Sequence, residues 1–190
     1  MKQVMRLSLA LRGSAAACLL AIAASAVGVS ARAGTPDEDA CLGWPGIDLN
    51  QEVVACTTII NSGTSAKLDW AYFDRANTYG RLAQFDKAFP DYEAASRITP
   101  NYPGLYVNRG WAYSRIGKYD LAIQDFDRTI RDQPDFAAMA YTQRGIVYSK
   151  LGQTDRAVAD FEAALRLKPG YELAQTNLDR IRAAQASAPK

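Results

Sequence analysis

Three stretches of the chain lie over one another without a gap: Tyr72 to Pro100 (YFDRANTYGRLAQFDKAFPDYEAASRITP), Tyr106 to Pro134 (YVNRGWAYSRIGKYDLAIQDFDRTIRDQP) and Tyr141 to Pro169 (YTQRGIVYSKLGQTDRAVADFEAALRLKP). Their closing prolines are 34 and then 35 residues apart, a helical-repeat period. A unit this short cannot bury a hydrophobic face alone, so its copies must stack and share a continuous core. The chain is therefore expected to be all-α.

Each copy divides into two amphipathic helices around a break. The first helix repeats Tyr72, Tyr106 and Tyr141, then Tyr79, Tyr113 and Tyr148 seven residues on, with Ala76, Gly110 or Gly145 between them. That spacing puts the three positions on one helix face, and the small residue lets a neighbouring helix approach closely. The second helix carries Ala88, Ala122 and Ala157, then Tyr92, Phe126 and Phe161, then Ala95, Thr129 and Ala164, the i, i+4, i+7 stripe of a buried face. Gly117 and Gly152 mark the break in two copies. Asp86, Asp120 and Asp155 follow it, where the helix dipole stabilises carboxylates. Each closing proline is expected to stop the second helix.

The pattern resembles the tetratricopeptide repeat family, whose signature runs W-x2-L-G-x2-Y, then A-x3-F, then P. The resemblance covers about residues 66–170, as repeats at about 69–102, 103–137 and 138–170, and it implies a right-handed α-α superhelix, a helical-repeat solenoid of three hairpins. Tyrosine stands at the family's tryptophan, Ala76 at the small glycine of the first copy, and Ala83-Gln84 at its turn glycine. The one extra residue near Met139 is expected between repeats. At the family's leucine position every copy has arginine, Arg75, Arg109 and Arg144, and sixteen residues on every copy has aspartate, Asp91, Asp125 and Asp160. A fixed offset across a hairpin reads as three partly buried ion pairs within repeats, structural in role.

Residues 34–65 form an N-terminal segment in which 47–61 read as the second helix of a half repeat, with Cys56 at the register of Tyr92, Phe126 and Phe161. Residues 171–185 keep helical spacing at Leu173, Ala174, Leu178 and Ile181, as a terminal capping helix does, and the tail to residue 190 reads as disordered. About eight helices result.

Residues 1–33 read as a leader. Lys2, Arg6 and Arg12 precede an uncharged run, residues 13–29, which ends near Ala31-Arg32-Ala33, a small-x-small exit. That is the layout of a cleaved secretory signal, and the apolar run is shorter than the ~20 residues of a spanning helix. Lipidation at Cys18 is the minor alternative. Without the leader the chain has 18 Lys and Arg against 20 Asp and Glu, so the nominal positive charge belongs to the leader and no basic stripe for nucleic acid remains. Cys41 and Cys56 are then the only cysteines of a chain expected in the periplasm or secreted, where pairing is the simple expectation. A 15-residue loop so closed stabilises the fold by roughly 3 kcal/mol in the chain-entropy model.

Catalysis finds little footing. There is no histidine, which removes the commonest general base and metal ligand, so neither metal nor cofactor is expected. The stretch from Gly110 to Lys118 suggests a phosphate loop, but six residues separate its glycines, Tyr119 stands where serine or threonine is required, and Gln153 replaces the lysine in the third copy. Asp37-Glu38-Asp39 reads as a solvated acidic run. The chain is expected not to be an enzyme.

In such stacks the first helices line the concave side. The groove expected there comprises Trp70, Phe73, Asn77 and Arg81; Asn108, Trp111 and Arg115; and Gln143, Ile146 and Lys150, with Gly80, Gly104, Val107, Ser114, Met139, Thr142 and Ser149 beside them. Arg81, Arg115 and Lys150 share one register as a basic rung. With Trp70, Phe73 and Trp111 they suit an extended peptide with acidic and apolar side chains. A family groove that captures a partner's C-terminal carboxylate uses lysine, asparagine and arginine; Asn77 and Asn108 match its asparagines, whereas Phe73, Met139 and Gln143 replace its cations. The expectation is a non-catalytic scaffold or adaptor for a protein or peptide partner in the cell envelope. The alternatives are a structural subunit that uses its convex face or stack ends, self-association included, and, more remotely, an enzyme with an unrecognised carboxylate site.

Overall fold

The computed structural model describes residues 35–63 and 68–187. The leader expected over residues 1–33, Cys18 with it, and the last three residues of the tail lie outside these. The described residues form nine helices: α1 (Pro36–Cys41), α2 (Leu49–Ser62), α3 (Asp69–Arg81), α4 (Phe85–Ile98), α5 (Leu105–Arg115), α6 (Tyr119–Asp132), α7 (Pro134–Lys150), α8 (Thr154–Leu167) and α9 (Glu172–Ala186). Helices α3 and α4, α5 and α6, and α7 and α8 pack as hairpins, each against the next; α1 and α2 precede them, and α9 packs on α8 and α7. Among the described residues no helix is long and apolar enough to cross a membrane.

The hairpins are built as the repeated residues require. Ala88, Ala122 and Ala157 are fully buried, as are Phe126 and Phe161. Gly110 and Gly145 sit where a Cβ would lie 2.8 Å from the ring of Phe126 or Phe161, so their smallness is what allows the two helices of a hairpin to close on the aromatic. Between the helices the backbone N–H groups of Gln84, Lys118 and Gln153 donate to the carbonyls of Tyr79, Tyr113 and Tyr148, the six-to-one bond of a Schellman end. That end needs a left-handed residue. Gly117 and Gly152 supply it at φ +75° and +72°, and Ala83 adopts φ +57° in the first copy, at a strain of roughly 1–2 kcal/mol for a residue with a Cβ.

The three arginine–aspartate pairs are present, each with two hydrogen bonds: Arg75–Asp91 at 2.7 and 2.8 Å, Arg109–Asp125 at 2.8 and 2.7 Å, and Arg144–Asp160 at 2.8 and 2.7 Å. Each guanidinium lies between two tyrosines of its own helix, Tyr72 and Tyr79, Tyr106 and Tyr113, or Tyr141 and Tyr148, at 5.2–6.0 Å from the ring centres. Two pairs do more than the expected intra-repeat role. Arg75 Nη1 donates to Thr57 Oγ1 on α2 at 2.9 Å, and Arg144 Nη1 reaches Asp127 on α6, so these arginines also tie a hairpin to the helix before it.

Three expectations are corrected. Among the described residues the count is nine helices instead of eight, because Asp37-Glu38-Asp39 is the first turn of α1 and more than a solvated run. Thr35 and Glu38 form a reciprocal capping box there behind Pro36, the pairing that starts helices. Pro134 opens α7 rather than only ending α6, since proline lacks the N–H that a first helical residue leaves unpaired and is preset in φ. The extra residue near Met139 therefore lies inside the 17-residue α7 rather than between repeats. At the N-terminal end, Cys41 and Cys56 are buried with sulfurs 2.10 Å apart, at disulfide distance.

Gly145→Ala is expected to destabilise the fold by about 1–3 kcal/mol through overpacking, and Ala83→Gly to stabilise it by about 1 kcal/mol, both read by urea unfolding. Asp125→Ala should cost about 3–5 kcal/mol, because Arg109 is left buried without its partner, whereas Arg109→Met with Asp125→Leu should cost far less. Equal losses in the single and double variants would show that packing, not charge, dominates there.

Candidate functional site

Helices α3 and α5 lie side by side as the first helices of successive hairpins, and between them opens a recess of about 270 Å³ lined by Asn77, Arg81, Tyr92, Asn108 and Trp111. Its floor is held by hydrogen bonds. Asn77 Oδ1 accepts from the Tyr92 hydroxyl at 2.8 Å and from Asn108 Nδ2 at 3.1 Å, which leaves the Asn77 amide nitrogen and the Asn108 carbonyl to face a ligand. Trp111 forms a wall. It fits against α3 because residue 80 is glycine: a Cβ there would stand 3.2 Å from the indole. Arg115 lies over the same indole at 5.8 Å and is otherwise exposed. The recess thus combines amide donors and acceptors, a guanidinium and an aromatic face, the elements that hold an extended peptide.

The expected groove residues divide by what they touch. Asn77, Arg81, Asn108 and Trp111 come together in the recess, and Arg115 borders it. Trp70 instead packs against the N-terminal cluster of Cys41, Ala55, Cys56 and Ile59. Phe73 packs on Tyr92 and Tyr102, with ring centres 6.3 and 4.8 Å away. Gln143 is half-buried further along the stack, and Ile146 packs against the last core cluster, around Phe161 and Leu178. Lys150 is exposed, with its ammonium 5.9 Å from the Tyr119 ring. Of the positions expected beside them, Val107, Thr142, Gly104 and Ser114 are buried. Val107 joins Phe126, Ala140 and Val147 in the seam with the next hairpin, so this register faces the neighbouring repeat and not the groove.

The basic rung is also altered. Arg81 Nη1 donates to both oxygens of Glu52 on α2, at 3.2 and 3.0 Å, and Thr78 Oγ1 donates to the same carboxylate at 2.8 Å. Glu52 is only 4% exposed, so Arg81, although itself exposed, is paired with a buried carboxylate, and Arg115 and Lys150 remain as the uncommitted cations of that register. The residue at Glu52's register in the later second helices is alanine: Ala88, Ala122 and Ala157. A charge at a position that is otherwise alanine was the available signal.

Asp74 is a second residue missed at the sequence level, though it holds the register of Asn108 and Gln143. It lies one turn before Asn77 on α3. Among the described residues no cation pairs with it. Burial, and then the charge of Glu52, push its carboxyl up to about 7. The repeat pattern marks Tyr92 only as core; its hydroxyl, where Phe126 and Phe161 have none, is what reaches the recess.

Profiles of the tetratricopeptide repeat match residues 71–102, 91–124 and 138–171. The match at 91–124 begins on a second helix and ends past a first one, a legitimate alternative phase for a two-helix repeat. Among solved structures, the second tetratricopeptide domain of human RPAP3, in complex with the HSP70 peptide SGPTIEEVD, is 30% identical, covers 58% of this chain and 92% of that one, and superposes with a TM-score of 0.54. The chain belongs to the tetratricopeptide repeat family. The first such domain of Spaghetti (RPAP3), bound to the HSP90 peptide SRMEEVD, is 28% identical over 63% of this chain and 94% of that one, with a TM-score of 0.57. A thermophilic tetratricopeptide protein of Thermus thermophilus shares the fold at 17% identity and a TM-score of 0.63, over 71% of this chain and 73% of that one. No curated protein matches the chain.

Burial of the Asp74 carboxyl is expected to make stability depend on pH. Its pKa is raised on folding, so its contribution is present in full below its unfolded value of 3.8 and is lost as pH rises to about 7; the folded state binds the extra proton. Unfolding free energy should fall between about pH 4 and 7 and then level. Asp74→Asn should flatten that fall and exceed the parent by about 2–3 kcal/mol at pH 8, measured by urea denaturation across pH.

Proposed function

We propose that this tetratricopeptide protein is a non-catalytic scaffold that holds an extended segment of a partner protein across α3, α5 and α7, at the recess of Asn77, Arg81, Tyr92, Asn108 and Trp111. The observation that carries the reading is that recess: polar groups with unused hydrogen-bonding capacity beside an aromatic wall, on a row of first helices. The two RPAP3 domains, solved with peptides ending in Glu-Glu-Val-Asp, support a peptide as the ligand class. The cations that would grip a terminal carboxylate pair are absent, since Phe73, Met139 and Gln143 occupy those positions. The segment bound here is one whose main chain meets Asn77 and Asn108, with an apolar side chain on Trp111 and an acidic one toward Arg115 and Lys150.

The compartment belongs to the same proposal. A leader over residues 1–33, cleaved near Ala33, would deliver the chain to the periplasm or the exterior, and there Cys41 and Cys56 would close as a disulfide that anchors α1 to α2. The sulfur placement supports that reading, and treatment of the exported protein with a thiol reagent, with and without prior reduction, checks it by mass.

Selection of random peptides on the protein tests the groove. Peptides with an acidic and an apolar residue should be enriched and should lose at least tenfold in affinity on a variant with Trp111→Ala, Arg115→Glu and Lys150→Glu. Arg81 is left intact because it neutralises buried Glu52. Affinity should also be greater at pH 6 than at pH 8, where Asp74 is charged and repels an acidic segment. Peptides that bind the variant as well as the parent would move the site off these helices.

A further inference from the structure

The two ends of the stack differ in charge. Residues 35–63 contain Asp37, Glu38, Asp39, Asp48 and Glu52 and not one Lys or Arg. Between α1 and α2 they form a recess of about 450 Å³ lined by Asp37, Ala40, Ile47, Asp48, Asn50, Gln51, Val54 and Ala55. Its floor is apolar and its rim is acidic. Val54 is 65% exposed, and in the loop from α1 to α2 Leu42 and Trp44 are 55% and 58% exposed, a grouping of large apolar side chains that soluble surfaces rarely leave uncovered. Asp48 is committed to capping α2, while Asp37 has no ion-pair partner among the described residues.

Toward the other end, α8 stops at Leu167, with Arg166 before it and Lys168 after it, and Arg166 and Leu167 border a recess with Ile130, Pro134, Ala137 and Tyr141 of α6 and α7. Leu167 is 57% exposed and both flanking cations are exposed, with Leu173 40% exposed at the start of α9. The register of Leu167 is held by Ile98 and Asp132 in the earlier repeats and that of Arg166 by Arg97 and Arg131, whereas Lys168 stands where Thr99 and Gln133 stand, so it is the second cation that sets this copy apart. Within one copy the two ends do not meet: α1 and α2 pack only on each other and α3, and α9 only on α7 and α8.

We infer that the ends recognise each other between molecules, so that Leu167 of one copy enters the recess between α1 and α2 of a second copy, with Arg166 and Lys168 against its acidic rim. The recess takes an apolar side chain on Val54, Ile47 and Ala40 and leaves room for the aliphatic stems of the cations, whose charged heads reach the rim. Such a contact is heterologous: each added copy leaves one acidic and one basic end free, so association proceeds head to tail rather than stopping at a dimer. It is independent of the groove on α3, α5 and α7, which stays open.

Sedimentation velocity on the purified protein over a hundredfold concentration range tests this. The weight-average mass should rise with concentration at low salt and return toward the monomer at high salt, since exposed charges are screened beyond a Debye length of about 10 Å at 0.1 M. Leu167→Glu and Asp37→Lys should each abolish the rise, and Asp37→Lys combined in one chain with Lys168→Glu should restore at least part of it. These side chains are exposed, so unchanged helical circular dichroism is expected and guards against misfolding as the cause. A monomer at every concentration, or association that survives Leu167→Glu, would overturn the proposal, as would a recess that binds a free Arg-Leu-Lys peptide while the protein itself stays monomeric.

Discussion

The bidentate arginine–aspartate pair inside each hairpin is the interaction on which the rest of the fold depends. The guanidinium is less than a fifth exposed and the carboxylate less than a tenth in all three copies. A cation placed so deep is tolerated only with its charge and hydrogen bonds met, and the planar fork of arginine meets a carboxylate with two parallel bonds. The flanking tyrosines cover both sides of the guanidinium and exclude water. Their backbone carbonyls, in the case of Tyr79, Tyr113 and Tyr148, also accept the bond that ends the first helix. One four-residue constellation therefore sets the distance between the helices, closes the turn and, through Arg75 and Arg144, fixes the angle to the preceding helix.

The recess follows from that geometry. With the hairpin faces committed to the ion pairs and aromatic core, the opposite sides of α3 and α5 are free to vary. Asn77, Trp111 and Ile146 share one register and are chemically unrelated. The first repeat departs furthest from the others: alanine at the turn, alanine for the small glycine, tyrosine for phenylalanine, an acid at residue 74, and buried Glu52 packed beside it. Of those departures Tyr92 lines the recess, and Asp74 lies one turn from Asn77. Strain at Ala83 and an uncompensated carboxyl at Asp74 both cost stability.

Much of the architecture was legible from the chain because packing repeats when residues repeat. The three hairpins, the sixteen-residue ion-pair offset and the half repeat at α2 follow from registers that agree in three copies, and the close-packing glycines from one that agrees in two. What was not legible is what happens only once. Helix α1 depends on a capping box of two residues. The extension of α7 depends on whether one proline ends or begins a helix, which local chemistry permits either way. The burial of Val107 and Thr142, and the packing of Trp70 and Phe73, depend on the tilt between hairpins, which no periodicity encodes.

The sequence by itself determined the helical hairpins, their number and order, and the pairing of Arg75, Arg109 and Arg144 with Asp91, Asp125 and Asp160, because each of these is set by spacing along one or two helices. Only the tertiary structure decided which of the first-helix residues line the recess. It joined Asn77 to Asn108 across two repeats, brought the Tyr92 hydroxyl up from a second helix, and placed Glu52 against Arg81 from 29 residues away. The physical reason is that a groove is formed between elements: its hydrogen bonds and charges are distributed among three helices, and their sum exists only once those helices are packed.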